Sequence, residues 1–280
     1  MMNAPLPDSI LRKLVTRAGG EEVPPLSNLQ GRASTITLPP QESRLQSRGS
    51  GGIFGFFSRG SAAREDAQQT RSRNNLKTLM LAMHNYHDVQ RSDSSTGKTW
   101  QSFPPVVMKG RHGSHGKGTV PHSWRVEILP FVPGGKELYE RYNFDEPWDG
   151  PNNSKLLKDM PAVFRAPGDA EDSTNTSYFA ITGPGTVFEG EEGTSIKHIY
   201  DGTSNTITLL ESKRSVPWTK PEDIPYDAAK PLPELGGLYP GGYFAGLADG
   251  SVRWIPAGVE ETMLRALITR NGKEVVSNPE

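Results

Sequence analysis

Two histidines and an aspartate close the stretch RNNLKTLMLAMHNYHD, residues 73–88. His84 and Asp88 stand four apart, so a helix would put them on one face, with His87 turned toward the apolar stripe. A His-x3-Asp pair can grip a metal, but the Glu and second His of a zinc-protease helix are missing. The simpler reading is a helix end closed by hydrogen-bonded polar groups, with His87 in the core. A second set, His112, His115 and His122, lies in the loop KGRHGSHGKGTVPH, residues 109–122. Three imidazoles suit zinc, nickel or copper. Gly113, Gly116 and Gly118 would make ordering that loop costly in entropy, which favours a solvated loop.

Oxygen chemistry is concentrated in DEPWDGPNN, residues 145–153. Asp145, Glu146 and Asp149 are hard ligands close together, and calcium is the cation they would suit. Their spacing does not follow the EF-hand pattern, and prolines interrupt it. Asp201, Glu211 and Asp249 would converge only if their strands are neighbours; turn roles for Asp201-Gly202 and Asp249-Gly250 are simpler. Trp148 and Trp218 both lie in proline-containing loops, EPWDGP and VPWTKP. They could stack on a sugar ring, or each could clamp its loop to the core, which is the preferred reading. Ser123 and His122 form no recognisable triad with nearby acids. GPGTVFEGEEGTS has glycines but no phosphate-loop lysine. No catalytic motif stands out, and the expectation is a protein without enzymatic activity. No cofactor is implied beyond the calcium neighbourhood.

The elements that must position these residues come from composition and periodicity. The chain has 280 residues, 34% hydrophobic, with 30 Gly and 24 Pro, which suits a loop-rich globular protein. Its 31 basic and 32 acidic residues leave a net charge of −1, so no global field favours nucleic acid or an anionic membrane. No cysteine is present, which excludes disulfides, thiolate nucleophiles and cysteine-bound zinc. No apolar run approaches the ~18–20 residues needed to span a bilayer, and the opening MMNAPLPDSILRKL lacks the apolar centre of a secretory signal.

Leu76, Leu79, Met80, Met83 and Tyr86 keep helical spacing. SFPP, residues 102–105, stops regular structure. SWRVEILPFV, residues 123–132, fits a helix or a buried strand, and ELYERYNF, residues 137–144, a short helix. TSYFAIT (176–182) and NTITLLES (205–212) are β-branched and aromatic, as strands require. In GGYFAGLADGSVRWI, residues 241–255, Asp249-Gly250 separates two such runs, and Asp-Gly signals a two-residue hairpin with both turn residues at positive φ. A last helix spans Val259–Thr269, with Gly272 as its stop. Helix, irregular loops, then antiparallel strands is an α+β order. Before it, residues 1–30 hold a short helix-turn segment and residues 31–70 read as a flexible linker. Inside that linker, IFGFF, residues 53–57, reads as a local apolar anchor or a partner-binding stretch.

The two ends repeat one another. LRKLVTRAGGE (11–21) and LRALITRNGKE (264–274) share seven of eleven residues without a gap. Each copy has the form of a short helix, a glycine stop and an extended tail, and neither can bury its apolar face alone. The N-terminal copy either closes an earlier domain or docks onto this one.

NNLKTLMLAMHNYHD…SFPP, SWRVEILPFV…LYERYNFDEPWDGPNN, MPAVFRAPGD, TSYFAITGPGT, DGTSNTITLLE and ADGSVRW occur in that order. Together, over residues 71–276, they resemble the bacterial pseudopilin-like family of unknown function whose C-terminal signature is called prepilin-type processing-associated. The resemblance implies a pilin-like fold, an N-terminal helix laid across an antiparallel sheet. It also implies a leader and an apolar helix that anchors or assembles the protein. This sequence departs from the pattern. The apolar stem is replaced by the polar SRGSAAREDAQQTRS, residues 58–72. Tyr239 stands ten residues before Asp249, where the signature has a histidine. Ser72 and Ala166 stand where cysteines commonly occur, which fits a compartment where a disulfide could not form.

The combined expectation is a pilin-like α+β domain over residues 71–280 with long irregular loops. Its expected role is structural or protein-interacting, through a protein partner or self-association, with no nucleic acid and no membrane span. The alternative is a soluble module binding a glycan or calcium around Asp145, Trp148, Asp149 and Trp218. The resemblance points to the cell envelope, whereas the cysteine-free, polar chain suits the cytoplasm.

Overall fold

The computed structural model describes residues 54–89, 91–92, 99–109, 120–190 and 193–272. Its main helix, α1, runs Phe54–Asp88. Short ladders follow, β1 (Arg91–Ser92) with β2 (Thr99–Trp100) and β3 (Val107–Lys109) with β4 (Pro121–Ser123), both antiparallel. Helices α2 (Trp124–Glu127) and α3 (Gly135–Arg141) and a series of 3-10 turns lead to the sheet. The sheet comprises β5 (Asn175–Thr182), β6 (Ile207–Pro217), β7 (Ile224–Pro225), β8 (Gly242–Leu247) and β9 (Val252–Pro256), and α4 (Glu261–Ile268) closes the described chain. The order across the sheet is β7-β5-β6-β8-β9. All pairs are antiparallel except the two-residue edge β7, which runs parallel to β5. This is the α+β architecture that the order of sequence patterns predicts, with an N-terminal helix, an antiparallel sheet and irregular loops.

The pleat sorts side chains to opposite faces. Tyr178 and Ala180 of β5, Leu209 of β6 and Phe244 of β8 belong to the core beneath α1. Their neighbours Phe179, Ile181, Leu210, Tyr243 and Ala245 belong to a second core that receives Leu264, Leu267 and Ile268 of α4. The sheet is therefore covered on both faces, by α1 with the irregular segment on one and by α4 on the other. Leu76, Leu79, Met80 and Met83 are fully buried, as their spacing requires. The helix approaches β8 so closely that a Cβ on Gly246 would stand 2.6 Å from Met80 Cγ and 2.8 Å from its Sδ. Gly246 is thus the hollow into which Met80 fits.

The helix starts earlier than its apolar stripe suggests. Residues 54–70, expected as the end of a flexible linker, form its first half. Ala, Arg, Glu and Gln dominate residues 62–70, and these are strong helix formers even without a face to bury. Residues 63–67 are exposed. At 35 residues the helix is about 52 Å long, so its first half runs on from the part that grips the sheet. The short segment expected over residues 1–30 and the rest of the linker to residue 53 lie outside the described residues. SWRVEILPFV resolves as a one-turn helix followed by a 3-10 turn at Leu129–Phe131. The Asp249-Gly250 turn is tight but longer than two residues. Gly250 N–H donates to Leu247 C=O at 2.9 Å, Gly250 takes φ +88°, and Asp249 accepts from Ser251 N–H at 2.8 Å.

Candidate functional site

The segment joining the long helix to the sheet is fastened by one buried ion pair. Ser123 caps α2, accepting from Arg125 N–H at 3.2 Å. The cap turns the Arg125 side chain into the protein, where it is fully buried. All five guanidinium N–H groups find acceptors. Nη2 donates to Asp223 Oδ1 at 2.7 Å and to Tyr178 C=O at 2.9 Å. Nε also reaches Tyr178 C=O, and Nη1 reaches Asp223 Oδ2 and Ser123 Oγ. Asp223 in turn accepts from Trp124 Nε1–H and from the Ala180 amide, the latter at 2.8 Å. The guanidinium stacks over Trp124 at 4.7 Å and Phe179 at 5.1 Å. Burial pushes Asp223 up and Arg125 down from their ordinary pKa values, and their mutual attraction opposes both shifts. Four donors aimed at one carboxyl suit an acceptor-only carboxylate, so the pair is charged.

A second buried polar cluster lies under α1. Ser72 Oγ donates to Glu211 Oε2 and lies 2.9 Å from Tyr178 OH. Asn75 Nδ2 donates to Tyr178 OH and to Arg165 C=O. Glu211 Oε1 accepts from Phe244 N–H at 2.7 Å. Burial raises the Glu211 pKa, against the hydrogen bonds from Ser72 and Phe244, which favour the anion. Tyr239 borders this cluster; burial, then the nearby Glu211 charge, push its hydroxyl up to about 12. Tyr239 thus stands as a neutral phenol beside a buried carboxyl.

The acidic loop does not gather its three acids into a ligand set. Glu146 Oε1 accepts from the amides of Asn152 and Asn153 at 2.7 and 2.6 Å, and Oε2 accepts from Asn152 Nδ2 at 2.9 Å. Desolvation acts against it, but these bonds prevail and hold the Glu146 carboxyl below the usual range. Asp145 and Asp149 are exposed on either side. Among the described residues, no group of three or more His, Asp or Glu is placed to hold a metal. Asp201 instead accepts from Gly272 N–H at 2.6 Å, Glu211 lies beneath α1 and Asp249 serves the hairpin turn, so these three do not converge either.

Trp218, expected as a possible stacking surface, is fully buried. It lies flat on Phe164, with centroids 5.6 Å apart, and its Nε1–H donates to Leu157 C=O at 3.1 Å. That is a loop clamp, and its face is closed to a sugar. Trp148 is half-buried, with Lys220 Nζ 5.9 Å from its ring centroid. The histidines are likewise separated. His122 is buried, donating from Nε2 to Phe144 C=O and accepting at Nδ1 from Tyr142 O–H; burial lowers its pKa, so it is held neutral. His112 and His115 lie outside the described residues. His87 accepts from Ile196 N–H at 3.3 Å. His84 packs edge-on to Phe103 at 5.5 Å, and Asp88 is exposed.

Sequence reasoning missed the Arg125–Asp223 pair. The available signal was an arginine set between Trp124 and Val126 in an apolar run, which demands a buried partner.

The arrangement defines a class: a helix-on-sheet α+β scaffold in which the buried Arg125–Asp223 pair and the Ser72–Glu211 cluster hold elements together. Residues 61–189, from α1 to just beyond β5, match the model of a family described as protein of unknown function (DUF1559). No curated protein matches the chain, and no solved structure does. Among the described residues, no helix is long and apolar enough to cross a membrane.

Proposed function

We propose that the chain is a pilin-like module without enzymatic activity that serves structure or protein–protein contact within a larger assembly. One observation carries this reading. Among the described side chains of α1, full burial begins at Ser72, while residues 63–67 stand exposed. A helix gripped from Ser72 onward and exposed along residues 63–67 offers that stretch to another protein chain. Leu81, 60% exposed on the outer face of the gripping half, adds an apolar contact point. Arg125, Asp223, Ser72 and Glu211 are engaged in clamps between elements, which fits a scaffold better than a reaction centre.

The test compares the whole chain with a version starting at Arg71, which keeps Ser72 and the buried stripe. Mass photometry over a concentration series should give oligomers or partner-bound species for the whole chain and monomers for the shorter one. Monomers from both, with calorimetry showing saturable calcium or glycan binding that Trp148→Ala abolishes, would replace this reading with the ligand-binding alternative.

A further inference from the structure

The chain holds one Asn-Gly step, Asn271-Gly272, just past the end of α4. The side-chain carbonyl carbon of an asparagine lies within reach of the next residue's amide nitrogen. A five-membered ring can therefore close between neighbours, with the reacting groups already joined by the chain. Glycine hinders this least, because no side chain shields its nitrogen and its backbone turns freely. Both residues are exposed and lie outside the helix. Among the described residues, no hydrogen bond holds the Asn271 carboxamide.

The nitrogen that would attack is held. Gly272 N–H donates to Asp201 Oδ2 at 2.6 Å, a charge-assisted bond. Ring closure requires that nitrogen to give up its proton. A carboxylate against it opposes this twice: it binds the proton, and it sets a negative charge beside a nitrogen that must itself become negative. The residue before Asn271 is tied as firmly. The Arg270 amide donates to Gly185 C=O at 2.8 Å, and its carbonyl accepts from the amides of Tyr200 and Asp201 at 2.7 and 3.2 Å. Its guanidinium reaches Glu189 Oε2 at 2.7 Å. Asn271 is thus pinned on both sides, with a reactive carboxamide between.

We propose that Asn271 is a latent deamidation site, sheltered while Asp201 clasps the Gly272 amide and converted when that clasp opens. In the open state the Gly272 nitrogen gives its proton to water and attacks Asn271 Cγ. The N–Cγ bond forms, the Cγ–Nδ2 bond breaks, and ammonia leaves with a proton returned by the solvent. Water then opens the succinimide at either carbonyl, leaving aspartate or isoaspartate. No electrons are exchanged, and water is the only co-reactant. Either product carries a new carboxylate one residue from the amide that Asp201 held, and isoaspartate also lengthens the main chain by a carbon. Like charges at that spacing oppose reclosure, so the step runs one way. It marks chains whose C-terminal segment has come loose from the loop at Asp201.

The test incubates the full chain in mildly alkaline buffer and digests timed samples. Mass spectrometry follows the fragment carrying residue 271 for the gain of an amide turned into an acid, and isoaspartyl methyltransferase labelling detects isoaspartate. A synthetic peptide of residues 268–274 in the same buffer supplies the Asn-Gly step without Asp201. The parent protein should convert about tenfold or more slowly than the peptide, the protection that one charge-assisted hydrogen bond gives against local opening. Asp201→Ala should raise conversion several-fold toward the peptide rate. Asp201→Asn, whose carbonyl still accepts, should fall between. Asn271→Gln should abolish the signal at this fragment. Amide exchange in β5 and β6 should be unchanged in Asp201→Ala, which separates an opened clasp from an unfolded head. If that exchange rises, the parent–peptide comparison and Asp201→Asn decide instead. A parent as fast as the peptide, or Asp201 variants no faster than the parent, overturns the proposal.

Discussion

Asp223→Ala is the most informative single perturbation of this scaffold. It removes the carboxylate that pairs with the fully buried Arg125, leaving a guanidinium with no counter-charge in the core. It also strips the acceptor from Trp124 Nε1–H and from the Ala180 amide. Breaking a buried pair by removing one partner costs about 3–5 kcal/mol. For a domain of this size each kcal/mol moves the melting temperature by roughly 2–4 °C, so the expected fall is roughly 6–20 °C. Urea unfolding followed by tryptophan fluorescence reads the free energy, and Trp124, stacked on the pair, reports locally. Asp223→Asn should also destabilise, because its amide N–H groups would face donors. The double variant Arg125→Met with Asp223→Ala should cost less than the sum of the singles, since no orphan charge remains. A loss below about 1 kcal/mol for Asp223→Ala would mean that water or another group replaces the carboxylate, and the clamp reading would be wrong.

Gly246→Ala should destabilise by about 1–3 kcal/mol, because its Cβ would strike Met80, and in chemical denaturation the double variant with Met80→Ala should cost less than the sum of the two singles. Glu211 has a raised pKa in the folded protein, so its contribution to stability is complete below the ordinary glutamate pKa and is lost as pH rises through the folded value. Denaturation from pH 4 to 9 should therefore show a smaller fall at the alkaline end in Glu211→Gln than in the parent; identical slopes would reject the assignment. Trp218→Ala should cost about 3–5 kcal/mol, having lost its stack on Phe164. Trp148→Ala, half-buried at the rim, should stay within about 0.5 kcal/mol by thermal melting.

What the sequence discloses is what repeats locally. The stripe Leu76, Leu79, Met80 and Met83 marks the gripping half of α1, because burial against a sheet imposes helical spacing. The first half of that helix touches no sheet along residues 63–67, so no periodicity marks it and its polar composition reads as linker. The β-branched runs locate β5 and β6, although β6 continues to Pro217, past the charged residues Lys213 and Arg214. Arg125 and Asp223 are 98 residues apart, and no local pattern links them. In the acidic loop, the chemistry of Glu146 was legible only alongside Asn143, Asn152 and Asn153. These three asparagines aim four N–H donors at one carboxylate, two from the backbone and two from side chains, so the oxygens that look free for a cation are spent on the loop itself.

The two rims of the sheet set a limit on how copies of this head can join. At one rim lies β7, two residues long and ending in Pro225; at the other lies β9, five residues long and ending in Pro256. Proline offers no amide for a further rung, and strands this short present few others. Growth by adding strand to strand, the route to fibrils, therefore has little to take hold of here. Contact between heads is left to side chains, which can part without unravelling the fold.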